Sequence, residues 1–149
     1  MGLNIVNIIM EIKDETDNDL ICKIKEYFPL FNVKTFSTIF NGIIGQADVK
    51  KICAEIDDDT QLEEILDTIF IENKLIDFSK IYPNKIFGYI EMDCSGGICL
   101  YEGFVVKNGE KIIKQECEYE GHINILKKIN KNYDGYFFEP FTREFINKK

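Results

Sequence analysis

The chain has 149 residues, 45% of them apolar and 30% charged, and its formal net charge at pH 7 is −8. This length and balance are typical of one globular domain and exclude a disordered or fibrous protein. No apolar run reaches the roughly 18 to 20 residues of a transmembrane helix, and the N-terminus matches neither a signal peptide nor a myristoylation site. We therefore predict one cytoplasmic domain over residues 1–149, with no membrane association.

The negative charge disfavours direct binding to nucleic acid, because phosphate contacts require lysine or arginine gathered on one face. Arg143 is the only arginine. An acidic surface instead attracts basic proteins and speeds the encounter with them. The alternative is that the charge only keeps the protein soluble.

Cysteines are odd in number and scattered, which argues against a disulfide framework. We predict that they are reduced thiols. The five cysteines are Cys22, Cys53, Cys94, Cys99 and Cys117.

The first half of the chain alternates between strand and helix patterns. Residues 4–13 alternate apolar and polar side chains, as a strand does. Apolar residues then recur at helical spacing from Leu20 to Phe28, and Pro29 ends this helix. Residues 33–41 are β-branched and aromatic, which predicts a second strand. Residues 48–56 fit a helix or a strand, and we assign them as a strand.

A capping box, Thr60-Gln61-Leu62-Glu63, predicts the start of a second helix, because each end of the motif can satisfy a free backbone N–H. Apolar residues from Leu62 to Phe70 lie at helical spacing on one side of it. The three aspartates just before the capping box sit where the helix dipole favours negative charge.

The second half predicts three strands and a helix. The strands are residues 86–93, 98–107 and 110–118. Asn108-Gly109 joins the last two and is a strong hairpin signal, because a type I′ turn requires a positive φ at both positions. A short helix is expected over residues 123–131, followed by an aromatic tail.

This order of elements predicts an α+β domain with helices packed on one face of an antiparallel sheet. The first half, β-α-β-β-α, fits a ferredoxin-like arrangement if residues 48–56 are a strand. A β-meander and a C-terminal helix follow it.

His122 is the only histidine. A small thiol-dependent enzyme would need it beside Cys94 or Cys99. The spacing of these two cysteines, without a second Cys/His pair, cannot complete a tetrahedral zinc site, although the pair could oxidise across its turn. The alternative is a Gly-Gly hairpin whose strand ends carry small apolar thiols. We predict no catalytic site, no metal and no cofactor.

Several carboxylates lie at the start of the second predicted helix. Their spacing does not match that of the calcium ligands in an EF-hand loop. They form either a solvated helix start or a docking surface for basic residues. The aromatic tail must pack on the sheet or serve as an interface. The residues that we assign to partner binding are Asp57, Asp58, Asp59, Glu63, Glu64, Tyr136, Phe137 and Phe138.

In its size, its charge and its hairpin region, Tyr89–Gly97 leading into Phe104–Gly109, the chain resembles the small acidic immunity proteins that bacteria encode beside secreted polymorphic toxins. The resemblance implies a cytosolic protein, without catalytic residues, that blocks one cognate toxin, often a nuclease, by covering its active site. We therefore expect direct binding to a basic protein partner, such as a secreted toxin domain, by a monomer or homodimer. The alternatives are the thiol-dependent enzyme and a ligand-binding regulatory α+β module.

Overall fold

Six strands form one antiparallel sheet in the computed structural model of the chain, which describes residues 3–13, 18–37, 40–48, 68–135 and 138–147. Their order across the sheet is β2-β3-β1-β4-β5-β6. The strands are β1 (Leu3–Glu11), β2 (Asn32–Phe36), β3 (Gly42–Asp48), β4 (Ile86–Ser95), β5 (Ile98–Lys107) and β6 (Glu110–Glu118).

Four helices accompany these strands in the same ranges. They are α1 (Asn18–Tyr27), α2 (Thr68–Ile81), α3 (Gly121–Ile129) and α4 (Arg143–Asn147), with a short 3-10 turn at Glu139–Phe141. None of them is both long and apolar enough to cross a membrane.

Helices α1 and α2 cover what we call the first face of the sheet. Alternate residues of β1, β4 and β5 point to this face, because successive side chains of a strand point to opposite sides. Leu20 and Ile24 of α1 and Leu75 and Phe78 of α2 close the core above them. The buried strand residues on this face are Val6, Ile8, Met10, Ile43, Phe87, Tyr89, Phe104 and Val106.

Helix α3 and the C-terminal segment cover the opposite, second face. Ile125, Leu126 and Ile129 of α3 pack there. Tyr133, Phe138 and Phe145 extend this cover towards β3. The strand residues beneath them are Ile9, Ile44, Ile90 and Val105. The central strands of the sheet are therefore buried between two layers.

The predicted α+β class, with helices packed on an antiparallel sheet, is confirmed. The elements β1-α1-β2-β3-α2-β4 place their strands in the order β4-β1-β3-β2, all antiparallel, with both helices on the first face. This is the split β-α-β arrangement of ferredoxin-like domains. The β-meander and the helix after Gly121 are also present.

Several details of the prediction need correction. The helices cover both faces of the sheet, not one, because the central strands are apolar on both sides. The third strand is Gly42–Asp48, so only Asp48 of the predicted 48–56 strand lies in it, and residues 49–56 lie outside the described ranges. β3 is buried along almost its whole length and therefore lacks the alternation by which a half-exposed strand is recognised.

The second predicted helix also has different bounds. Its expected start at Thr60 lies outside the described ranges, and α2 continues to Ile81, well beyond the predicted apolar stripe. β2 ends at Phe36, earlier than expected. The Asn108-Gly109 turn has positive φ at both residues, as predicted, and φ is also positive at Gly96 and Gly97.

Candidate functional site

The β4–β5 hairpin extends beyond the helices that cover its base. At the base, Tyr89 and Phe104 are each 1% exposed. Towards the turn, Ile98 is 58% and Leu100 40% exposed. We call residues 91–102 the distal hairpin, and its two faces carry different chemistry.

A disulfide joins Cys94 and Cys99 across the distal hairpin. The two residues are directly opposite in the β4–β5 register, because the Gly96-Gly97 turn aligns them. The prediction that all cysteines are reduced is therefore wrong for this pair. Cys22 and Cys117 are free and exposed, and Cys53 lies outside the described residues.

The first face of the distal hairpin is acidic. Glu91 lies directly opposite Glu102, and Asp93 follows two residues along β4 on the same face. Burial raises the pKa of Glu91, and the neighbouring Glu102 carboxylate raises it further, with smaller contributions from Asp93 and Glu72. These carboxylates thus lie close enough to repel one another.

Lysines lie at the base side of this acidic patch, which we define as Glu91, Asp93 and Glu102. Lys111 is engaged by Glu72, with its Nζ 3.0 Å from a carboxylate oxygen, and it also lies over the Phe104 ring. These contacts hold the Lys111 ammonium at the base end of the patch.

The second face of the distal hairpin opens into a cleft of about 340 Å³, which we call the aromatic cleft. Tyr101 lies in its wall, with its ring centroid 4.1 Å from that of His122 and 5.5 Å from that of Phe141. Tyr119, which is 64% exposed, stands at the rim. Cys99, Glu120 and Thr142 also line the cleft.

His122 is uncharged at neutral pH in this setting. Burial lowers its pKa to about 4, because removing the ring from water penalises the imidazolium form. Its Nδ1 is buried without a hydrogen-bond partner. Burial also raises the pKa of Tyr101, with a smaller contribution from Tyr119. Both wall residues are therefore neutral.

Two features hold the cleft walls in place. Gly121 begins α3 so close to β5 that a Cβ there would lie 2.3 Å from the Tyr101 carbonyl oxygen, so only glycine fits. Gln46 is a buried residue of β3. Its Nε2 donates to the Pro140 carbonyl at 2.7 Å and to Asn7 Oδ1 at 3.1 Å. This contact anchors the turn that carries Phe141.

The structure describes only one of the eight residues that the sequence analysis assigned to partner binding. Asp57, Asp58, Asp59, Glu63, Glu64, Tyr136 and Phe137 lie outside the described residues. Phe138 is 4% exposed and packs edge-on against Phe36 and Phe141. It therefore belongs to the core that closes the second face, and it also lines the aromatic cleft.

His122 and Cys99, by contrast, line one cleft, as the thiol-enzyme alternative required. In this structure Cys99 is bonded to Cys94 and so holds no nucleophilic thiol. Among the residues described, no three His, Cys, Asp or Glu side chains are grouped so that they could hold a metal ion.

Sequence reasoning missed the acidic patch and the importance of Tyr101. A signal for the patch was present, because a two-residue turn at Gly96-Gly97 sets the register between β4 and β5. This register places Glu91 opposite Glu102. The cleft had no such signal, since its walls come from β5, α3 and the C-terminal turn.

Comparison with known proteins found no matching family model, curated protein or solved structure.

Proposed function

We propose that this chain is a non-enzymatic protein-binding protein, and that its particular role is to neutralise a basic bacterial toxin domain by direct contact. The observation that carries the proposal is the acidic patch of the distal hairpin, where Glu91 and Glu102 lie directly opposite each other and Asp93 is exposed on the same face. The resemblance to immunity proteins supplies the class of partner.

The electrostatics of the patch support a basic partner. Burying Glu91 and bringing it close to Glu102 both cost free energy in the isolated protein, as the raised pKa of Glu91 reflects. A cationic side chain placed between the two carboxylates would relieve this repulsion. Such complementary charges raise the association rate and exclude acidic competitors.

The surroundings of the patch also suit an interface. Ile98 and Leu100, both exposed, lie on strand β5 next to the carboxylates. Interfaces typically combine an apolar centre with a polar rim, and only a few residues supply most of the affinity. The distal hairpin offers both kinds of surface on one protruding element.

A cytoplasmic location is part of this proposal, and the disulfide bears on it. Disulfides are uncommon in reducing compartments. Cys94 and Cys99 are only half-buried, so cellular reductants can reach them. Because β4–β5 pairing and the turn already hold this hairpin together, the binding surface does not depend on the bond.

Co-expression with the product of the neighbouring reading frame tests the proposal. We expect a stoichiometric complex and loss of that product's toxicity. Replacing the patch by Glu91→Gln, Asp93→Asn and Glu102→Gln should slow association and weaken its salt dependence. A toxic neighbour that neither binds nor is neutralised would contradict the proposal.

A matched control removes the same three charges elsewhere. Glu26 and Asp77 are each 71% exposed on α1 and α2, and Glu110 is exposed at the base turn. The variant Glu26→Gln, Asp77→Asn, Glu110→Gln should bind as the unmodified protein does. Equal weakening in both variants would mean that net charge, not the patch, attracts the partner.

A second candidate, the thiol-dependent enzyme, has one observation in its favour: Cys99 and His122 line the same cleft. It requires the disulfide to be reduced first, because only a thiolate is nucleophilic. After reduction, alkylation of Cys99 measured against pH would test it. A reactive Cys99 thiol of low pKa, whose pKa rises to the ordinary value in His122→Gln, would favour the enzyme. A slowly reacting thiol of ordinary pKa would exclude it.

A further inference from the structure

The aromatic cleft combines ring faces with a single type of charge. Tyr101, Tyr119, Phe138 and Phe141 are among the residues that line it. Among the lining residues that the structure describes, Glu120 carries the only full charge at neutral pH, and no lysine or arginine is present. The face of an aromatic ring is electronegative and attracts cations, most strongly when several rings surround them.

Two groups could oppose a cation here, and neither does so effectively. His122 is neutral at pH 7, because its pKa is about 4. The N-terminus of α3 carries a partial positive charge of about half an elementary charge. Glu120 sits at that N-cap without a capping hydrogen bond, and its full negative charge outweighs the helix dipole.

The size and opening of the cleft fit a side chain from a macromolecule. Its volume of about 340 Å³ is at the low end for small-molecule sites. Tyr119 stands exposed at its rim, directly after edge strand β6, where a second polypeptide can lie alongside. A flat guanidinium group can stack face to face on a ring while donating two parallel hydrogen bonds to a carboxylate, a planar geometry that a lysine ammonium does not have.

We propose that the aromatic cleft receives an arginine side chain of the basic partner, stacked on the exposed ring of Tyr119 and paired with Glu120. This inference rests on the proposed function and adds a second contact to it, on the opposite face of the distal hairpin from the acidic patch. The partner would thus contact both faces of the distal hairpin.

The test is a titration of ¹⁵N-labelled protein with N-acetyl-arginine methylamide, with the neutral citrulline analogue as the matched probe. We expect saturable shifts at the amides of Tyr101, His122 and Phe141, and about tenfold weaker binding of the citrulline probe. Equal binding of the two probes, or shifts confined to another surface, would overturn the proposal.

Two exposed residues allow substitution without endangering the fold. Tyr119→Ser and Glu120→Gln should each weaken arginine binding several-fold, since they remove a ring face and the paired carboxylate. Glu110→Gln, which removes the same charge at the base turn, should leave binding unchanged. Loss of binding in Glu110→Gln as well would show a general charge effect and contradict the site.

The complex with the neighbouring gene product separates the two proposals. If Tyr119→Ser/Glu120→Gln neutralises the toxin normally while the acidic-patch variant fails, the arginine site is wrong and the proposed function stands. If the cleft binds the arginine probe but the protein forms no complex, the proposed function fails, and with it the assignment of the cleft to a protein partner.

Discussion

The base and the distal half of the β4–β5 hairpin share the same strands and the same antiparallel pairing, yet they have different physical roles. At the base, α2 and α3 cover both faces, and Phe87, Tyr89 and Phe104 are buried. In the distal half the same strands present Asp93, Ile98 and Leu100 to solvent on the first face. Pairing alone therefore shapes a hairpin, and coverage by helices decides which part stabilises the fold and which part is available for binding.

The largest contrast is expected from truncating one side chain in each half of β5. Phe104 and Leu100 point to the same face of that strand. Phe104→Ala should lower the free energy of unfolding by about 3–5 kcal/mol, because it leaves a cavity in the core. Leu100→Ala should cost under about 1 kcal/mol. Urea denaturation measures both, and similar losses would contradict the division of the hairpin.

Opening the disulfide should have a smaller effect. Cys94 and Cys99 are five residues apart, and closing so short a loop stabilises the folded state by about 2 kcal/mol in the chain-entropy model. We expect Cys94→Ala/Cys99→Ala to lose no more than this and to keep its circular dichroism spectrum. Global unfolding of this variant would show that the distal half supports the base.

The two hairpin turns provide a third contrast. Ser79 of α2 is fully buried, and its hydroxyl accepts a hydrogen bond from the Gly109 amide at 2.8 Å, which fastens the β5–β6 turn to the core. Ser79→Ala should cost about 1–2 kcal/mol, because the Gly109 amide loses its partner. Ser95→Ala, in the exposed distal turn, should be nearly neutral. Thermal unfolding distinguishes them.

The smallest effect concerns the acidic patch and depends on pH. The folded-state pKa of Glu91 lies above its ordinary value of 4.5, so the folded protein holds this proton more tightly than the unfolded chain. The contribution of this proton to the free energy of unfolding is fully present below pH 4.5 and is lost as pH rises through the folded-state pKa. Glu91→Gln should therefore be more stable than the unmodified protein at pH 7 and equal to it at low pH. A variant that is less stable at pH 7 would show that Glu91 has a favourable partner.

Local signals predicted much of the fold. Alternation identified β4, β5 and β6, and the Asn108-Gly109 pair identified the turn between the last two, because positive φ is a property of those residues themselves. Helix α1 followed from apolar spacing and Pro29. β3 was not predicted, because a strand buried on both faces shows no alternation of apolar and polar residues. Gly42 and Gly45 weaken its strand pattern further.

The candidate site was less predictable than the fold. The acidic patch requires only the register of one hairpin, so turn chemistry could have revealed it. The aromatic cleft depends on the approach of α3 to β5 at Gly121 and on the contact between Gln46 and Pro140, which are separated by 94 residues. Contacts at that distance along the chain leave no periodic pattern in it.

By itself, the sequence determined the α+β class, the meander, the turns and the acidic character, because each depends on residue types and on neighbours close along the chain. Only the tertiary structure decided that helices cover both faces, that Cys94 and Cys99 are joined, and that Tyr101, His122 and Phe141 line one cleft. The physical reason is that burial and side-chain contact depend on which elements pack together, and packing is a property of the whole folded chain.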